Sequence, residues 1–248
     1  MEQSNLFESG KDQVCLLEKS IYGLKQAARC WHDHLGKILS TLGLHKLKPE
    51  LALQQMMKRS LIVGFYVDDL IILCHDIELI GALKSNFGKV VEITDKGEIQ
   101  TFVGLEIKRD GKSLRISQAK YIQPLRGNHQ VENSHPIPLP DGFVMEPTQL
   151  EAVIQDVPSY QSIVGELLYL ANMSRSDICF AVGRLSRHMN NPRKKHMDLV
   201  KQVLRQVKRT KKAESVYRGK KSGMAGFADA HYANGSDSRT TTGWMFFC

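Results

Sequence analysis

Long apolar runs are missing from this sequence. No stretch could cross a bilayer as a helix. The opening residues Met1 to Asn5 carry neither the basic nor the apolar part of a signal peptide. Cysteine is scarce and scattered. Cys15, Cys30, Cys74, Cys179 and Cys248 show no paired metal spacing, and their odd number argues against a disulfide framework. His129 and His135 have no companion ligands close by in the chain, which makes them surface histidines rather than half of a zinc site. A membrane protein, a small secreted scaffold and a zinc module are thereby set aside. The expectation is an intracellular chain, cytoplasmic or nuclear, with reduced thiols.

What is present is enough to fold. The 248 residues are 42% hydrophobic and 24% charged, which suits one large or two small domains with a real core. The net charge of +8 is unevenly spread. Between Arg184 and Lys221 stand 14 Lys or Arg and two acids, Asp198 and Glu214, so this segment alone is +12 and the remainder −4. A solvated helix face could carry such a run. The one-signed excess favours a polyanionic partner, a nucleic acid above all.

The most informative stretch is Leu61 to Leu73. Two apolar runs of strand length and β-branched or aromatic content flank Asp68 and Asp69, which places the aspartates at the tip of a tight hairpin. Adjacent carboxylates repel, and Asp-Gly or Asn-Gly would make an easier turn. A cation explains the pair: Mg²⁺ takes hard oxygen ligands, one or two carboxylates among them, and leaves other positions to water and phosphates. The alternative is an exposed turn that happens to hold two aspartates.

Tyr66-Val67-Asp68-Asp69 resembles the Tyr-x-Asp-Asp signature of reverse transcriptases. Further blocks resemble the copia-type retrotransposon branch: Ser20 to Trp31, Phe102 to Ile107, Ser174 to Val182, Gly226 to Ala230 and Arg239 to Gly243, in the family's order and over nearly the whole chain. The resemblance implies an α+β fold: a partial reverse-transcriptase palm with the aspartate hairpin and a primer-grip hairpin over residues 1–125. An irregular linker would cover 126–157, a basic helical thumb or connection region 158–221, and the truncated first strands of a ribonuclease H-like domain 222–248. Asp68 and Asp69 would hold Mg²⁺ or Mn²⁺ for nucleotidyl transfer onto a primer 3′-hydroxyl. Tyr66, Gly23, Lys25, Gln26 and Arg29 would meet the nucleotide or template, and Phe102, Val103 and Gly104 would grip the primer. Lys201, Arg205, Lys208 and Arg209 would track nucleic-acid backbone, and Asp229 would be the first ligand of an incomplete ribonuclease H site. The implied partners are a template–primer duplex, dNTPs and the rest of a Pol polyprotein, with no membrane. Ala28 stands where the family usually has Pro.

Two-metal transfer also needs a third carboxylate from a separate strand. Asp12, Glu18 and Asp33 lie in polar or helical contexts, and the resemblance implies that this aspartate lies a short way upstream of Met1 and that the isolated chain is inactive or nearly so. A non-catalytic relic or domesticated nucleic-acid-binding module, or a pseudogene product without a stable fold, are the other readings.

Local patterns fill in the elements. Val14 to Leu17 reads as a short strand. Leu24, Ala28, Trp31, Leu35, Ile38, Leu39 and Leu42 make a helical stripe closed by Gly43. Leu51 to Lys58 reads helically although the family often has a strand there. Asp76 caps a helix through Phe87, with a strand at Val90 to Ile93. Phe102 to Lys108 and Leu114 to Ser117 form a hairpin around Asp110-Gly111. Pro124 and Gly127 interrupt a helix after Lys120. Ser159 and Ser176 open two helices, the second with Phe180, Leu185 and Met189 inside. A third helix buries Met197, Val200, Val203, Leu204 and Val207. One strand ends at Asp229 and another runs from Gly243 to Phe247.

Overall fold

The computed structural model describes residues 16–47, 53–56, 60–128, 152–218, 223–231 and 241–247. Two compact units divide at Ile99–Gln100. Cys15, Cys248, His129, His135 and most of the expected linker lie outside the described residues. No described helix is long and apolar enough to cross a membrane.

The first unit is a four-stranded antiparallel sheet with two helices. Helix α1 (Ala27–Thr41) leads into β1 (His45–Lys46), β2 (Leu53–Met56), β3 (Leu61–Tyr66), β4 (Asp69–Leu73) and helix α2 (Ile77–Gly88). The strands lie in the order β1-β2-β3-β4. Helix α1 ends as its glycine predicts. Gly43 takes φ +84°, its N–H donates to the Ser40 carbonyl, and the Leu44 N–H donates to the Leu39 carbonyl, both at 3.0 Å. This pair of bonds is the Schellman arrangement, and it drops Leu44 into the core. Asp76 caps α2 through the backbone N–H groups of Glu78 and Leu79. Leu35, Leu39, Leu61, Val63, Leu83 and Phe87 meet between sheet and helices. The apolar face of β3 thus fixes the hairpin that leaves it.

The second unit pairs a sheet with a helical core. Strands β5 (Thr101–Phe102), β6 (Leu105–Asp110), β7 (Ser113–Ser117) and β8 (Ser215–Arg218) run in that order, all antiparallel. Helices α3 (Ala119–Asn128), α4 (Val157–Met173), α5 (Cys179–Ser186) and α6 (Lys194–Arg209) bury Tyr160, Leu167, Leu170, Val182, Leu185 and Val203. The Tyr160 hydroxyl donates to the Leu185 carbonyl at 2.9 Å, and burial pushes that hydroxyl well above the ordinary tyrosine value. Strands β9 (Ala225–His231) and β10 (Thr241–Phe247) form a separate antiparallel pair.

Several expectations change. Leu53 to Met56 is strand, because pairing with β1 and β3 overrides the helical preference of its Leu, Gln and Met residues. Leu16 and Leu17 lie in no strand, and Leu16 is fully out in solvent. Val90 to Ile93 is a turn and loop, with Val90 and Ile93 exposed and no strand beside them to pair with among the described residues. Phe102 to Lys108 is not one strand; it breaks at a turn on Val103 and Gly104. Pro124 does not interrupt α3. The bond it forfeits belongs to the carbonyl of Lys120, in the helix's solvent-exposed first turn. Helix α4 starts two residues before Ser159, capped by Asp156, whose carboxylate accepts from the Ser159 N–H at 3.0 Å. Ser176 opens a short 3-10 turn (Ser176–Ile178) that runs into α5, and Phe180 faces solvent rather than the core. The region from 158 to 221 is not wholly helical, since β8 lies within it. Asp229 lies inside β9 opposite Gly243 rather than at a strand end.

Candidate nucleotidyl-transfer site

Strands β3 and β4 pair from Ile62–Leu73 down to Tyr66–Asp69, which leaves Val67 and Asp68 as a two-residue turn. The two aspartates therefore differ in setting. Asp68 is in the turn and Asp69 is the first residue of β4, and both are exposed. Val67 takes φ +51° while Asp68 keeps a negative φ. Positive φ at the first turn position alone is the type II′ pattern, which Gly normally fills, and for a β-branched residue it is a strained backbone.

Two other elements reach this turn. The Trp31 indole N–H of α1 donates to the Val67 carbonyl at 2.8 Å. One residue further along α1, the His32 ring packs on Phe65 of β3 with centroids 5.2 Å apart. The loop after α2 supplies the other. Lys84 of α2 grips both oxygens of Asp95, and the Gly97 N–H donates to the same carboxylate, holding its acid strength above that of a free aspartate. Between them, Lys96 extends its ammonium to 3.3 Å from Asp69 Oδ1.

Asp69 thus already faces a cation, and Asp68 beside it is open to water. Hard carboxylate oxygens with room for water ligands fit Mg²⁺ or Mn²⁺. Among the described residues, no group of three His, Cys, Asp or Glu side chains lies close enough to hold a metal ion, so the pair lacks a third protein carboxylate there.

The other expected residues fall into two groups. Tyr66 is exposed at the end of β3, beside the aspartates. Gly23, at φ +97°, lies in the turn ahead of α1, and Lys25, Gln26 and Arg29 are exposed around the helix start. The Trp31 bond joins that helix to the hairpin, so these residues share the first unit with Asp68 and Asp69. Phe102, Val103, Gly104, the α6 cations and Asp229 belong to the second unit. Asp229 is exposed, and its strand partner Gly243 supplies no ligand.

Val103 and Gly104 form a second tight turn with φ +46° and +71°, the type I′ pattern. The glycine is therefore a turn residue and not a bulge. The Tyr169 hydroxyl of α4 donates to the Val103 carbonyl, and the Tyr121 ring of α3 packs edge-on against Tyr169 at 5.0 Å. A Cβ on Gly104 would sit 2.8 Å from the Tyr169 oxygen. Gly104→Ala is expected to cost about 1–3 kcal/mol through backbone strain and displacement of that hydroxyl. Tyr169→Phe, which loses only the hydrogen bond, should cost about 1 kcal/mol. Urea melts of both variants check the ranking.

On α6, Lys194, Asp198, Lys201, Arg205 and Lys208 recur at spacings of three and four, which puts them on one face. The opposite face, with Leu199, Val200, Val203, Leu204 and Val207, is buried. Lys201 and Arg209 are exposed, while Arg205 and Lys208 are half-buried.

Sequence reasoning took Trp31 as part of an apolar stripe and as the last residue of the Ser20–Trp31 block, with no role of its own, and had no signal for Lys96, which sits in a loop. Both matter through contacts 36 and 27 residues away along the chain.

Comparison with known proteins gives a consistent result. A family profile described as reverse transcriptase (RNA-dependent DNA polymerase) matches residues 2–141. The retrovirus-related Pol polyprotein from transposon TNT 1-94 of Nicotiana tabacum is 34% identical over 99% of this chain and 20% of its own length. The Pol polyprotein from transposon RE1 of Arabidopsis thaliana is 31% identical over 92% of this chain and 16% of its own. A protein named for transposon Ty5-1 in Saccharomyces cerevisiae is 28% identical over 95% of this chain and 78% of its own. The chain thus spans about a fifth or less of the two plant polyproteins. No solved structure matches significantly.

Proposed function

The chain belongs to the reverse transcriptase (RNA-dependent DNA polymerase) family, and from that premise we propose that it is the palm-to-thumb portion of a copia-type retrotransposon polymerase. The observation that carries this reading is the strained two-residue turn that presents Asp68 and Asp69 together at a hairpin tip. Residues 1–125 are the partial palm, with the β5–β6 turn as its primer grip, residues 158–221 with α4 to α6 are the thumb and connection region, and the β9–β10 pair is the first strands of a ribonuclease H-like domain with Asp229 as its first carboxylate. Template–primer duplex and dNTPs are the partners, within a longer Pol polyprotein.

Reverse transcriptases use divalent metal ions. Asp68 and Asp69 are the residues that would hold Mg²⁺ or Mn²⁺ here, and the ion would neutralise nucleotide phosphates and acidify a primer 3′-hydroxyl. The chain's own residues do the rest. Lys25, Gln26 and Arg29, around the start of the helix that Trp31 docks on the hairpin, present donors and charge to a nucleotide or template phosphate. Tyr66 offers an exposed ring beside the aspartates for a base or sugar to pack on.

No third carboxylate stands beside the pair among the described residues, and the chain alone is expected to be inactive or nearly so in nucleotidyl transfer. In template–primer extension with Mg²⁺ or Mn²⁺, dNTP incorporation should not exceed that of Asp68→Asn. Incorporation that disappears in Asp68→Asn would contradict the inactivity. The one-sided basic face of α6 favours a second reading, a non-catalytic nucleic-acid-binding module, and the two readings share that face.

A further inference from the structure

The turn that carries Asp68 has a conformational choice. In a two-residue hairpin turn the central peptide plane can flip, and the flip interconverts the II′ and I′ forms. Here that plane is the Val67–Asp68 peptide, which is rigid as a unit. Its carbonyl is Val67 O and its N–H belongs to Asp68. Whichever way the plane turns sets the φ of Asp68, and with it the rotamers open to the Asp68 side chain beside Asp69.

Val67 does not favour the observed form by itself. A β-branched residue at φ +51° is a poor occupant of a position that II′ turns give to glycine. Val67 keeps a positive φ in both forms, so the strain at that residue does not choose between them, whereas a contact on the peptide plane itself does, and one is present. The Trp31 indole donates to Val67 O at 2.8 Å from a helix packed on the same hairpin through His32 and Phe65. Flipping the peptide would carry that oxygen away from the indole and bring Asp68 towards positive φ. On the other side of the pair, Lys96 restrains Asp69. One carboxylate is therefore set through its backbone and the other through its oxygen.

We propose that Trp31 is a positioning residue for the Asp68–Asp69 pair: its indole N–H locks the Val67–Asp68 peptide plane and so aims Asp68 to share a divalent cation with Asp69. This rests on the cation-binding reading of the pair given above. It assigns Trp31 a task that a hydrophobic stripe would not need, because any aromatic ring fills space and only an indole N–H makes this bond.

The test compares wild type, Trp31→Phe and Asp68→Asn/Asp69→Asn in the full chain. Amide resonances are followed by NMR during Mn²⁺ titration, with thermal unfolding measured alongside. In wild type, Mn²⁺ should broaden the amides of residues 66–70 first, and the double aspartate variant should abolish this. Trp31→Phe keeps the ring and loses the donor. It should shift the Val67 and Asp68 amides, weaken Mn²⁺ binding about threefold to tenfold, the worth of one net hydrogen bond, and lower the melting temperature by about 2–8 °C, the stability worth of the same bond. Trp31→His, which retains a ring N–H, should recover part of the affinity. Wild-type Mn²⁺ affinity in Trp31→Phe overturns the positioning role and leaves the cation site intact. Absence of selective broadening in wild type overturns both.

Discussion

Charge reversal of Lys201, Arg205 and Lys208 to Glu is expected to cut affinity for a template–primer duplex by roughly two to three orders of magnitude or more at 0.1 M salt. Each phosphate contact contributes nearly one unit to the slope of log affinity against log salt. Removing three should flatten that slope by roughly 2.7, which at 0.1 M corresponds to a loss of two to three orders of magnitude before any repulsion from the new carboxylates. The loss should be the same for duplexes of different sequence, because phosphate contacts carry no base information. All three residues lie on the α6 face away from Leu199, Val203 and Val207, Arg205 and Lys208 half-buried there, and a thermal melt of the variant checks that the fold survives the change. Fluorescence anisotropy across a salt series reads both quantities. An unchanged slope would remove α6 from the interface.

Arg175→Ala is expected to destabilise the second unit by about 2–3 kcal/mol. The side chain is almost wholly buried where α4 gives way to α5. Its Nε and Nη2 donate to the two oxygens of Asp177 at 2.9 and 2.8 Å, and its Nη1 donates to the Thr210 carbonyl at the end of α6 at 3.3 Å. Gln206 of α6 donates to the same carboxylate at 3.1 Å. Removing one partner from such a network costs more than the network is worth, because the others lose their hydrogen bonds inside the fold. Half of the Asp177 side chain remains exposed, which lets water recover part of that loss and keeps the figure below that of a fully buried pair. Arg175→Lys should recover little, since an ammonium cannot make the two-pronged contact. Partial burial by itself would push the Asp177 carboxyl up. The hydrogen bonds from Arg175 and Gln206 and the Arg175 charge outweigh it and hold the group below its ordinary value. Its contribution is therefore complete above about pH 4 and is lost as pH falls through the lowered value. Urea midpoints of wild type and variant should converge in acid. A neutral-pH difference under 1 kcal/mol would show that the network is ornamental.

Where local chemistry and tertiary context agree, the fold was legible in advance. The β3–β4 hairpin follows from two apolar runs around a polar pair, α2 from its Asp76 cap, and α6 from its apolar stripe. The failures have physical causes. Strand β2 is written in helix-forming residues and is a strand only because β1 and β3 flank it. Val90 to Ile93 has strand-forming side chains and no strand beside it among the described residues. Strand β8 hides Val216 and Tyr217 inside a run of Lys and Arg that read as helix, and it pairs with β7 about 100 residues back. At the site, the paired aspartates and their hairpin were readable because they are contiguous. The Trp31 bond, the Lys96 ion pair and the Tyr169 tether were not, because each joins elements that only folding brings together.

Divalent-cation binding by Asp68 and Asp69 is the premise of the proposed chemistry, and Fe²⁺-directed cleavage tests it: Fe²⁺ takes the place of Mg²⁺, and peroxide with ascorbate then generates radicals that cut the backbone beside the ion. A cut is expected between Tyr66 and Leu70, suppressed by excess Mg²⁺ and absent in Asp68→Asn/Asp69→Asn. Cutting elsewhere, or a cut at the hairpin that persists in the double variant, would contradict it.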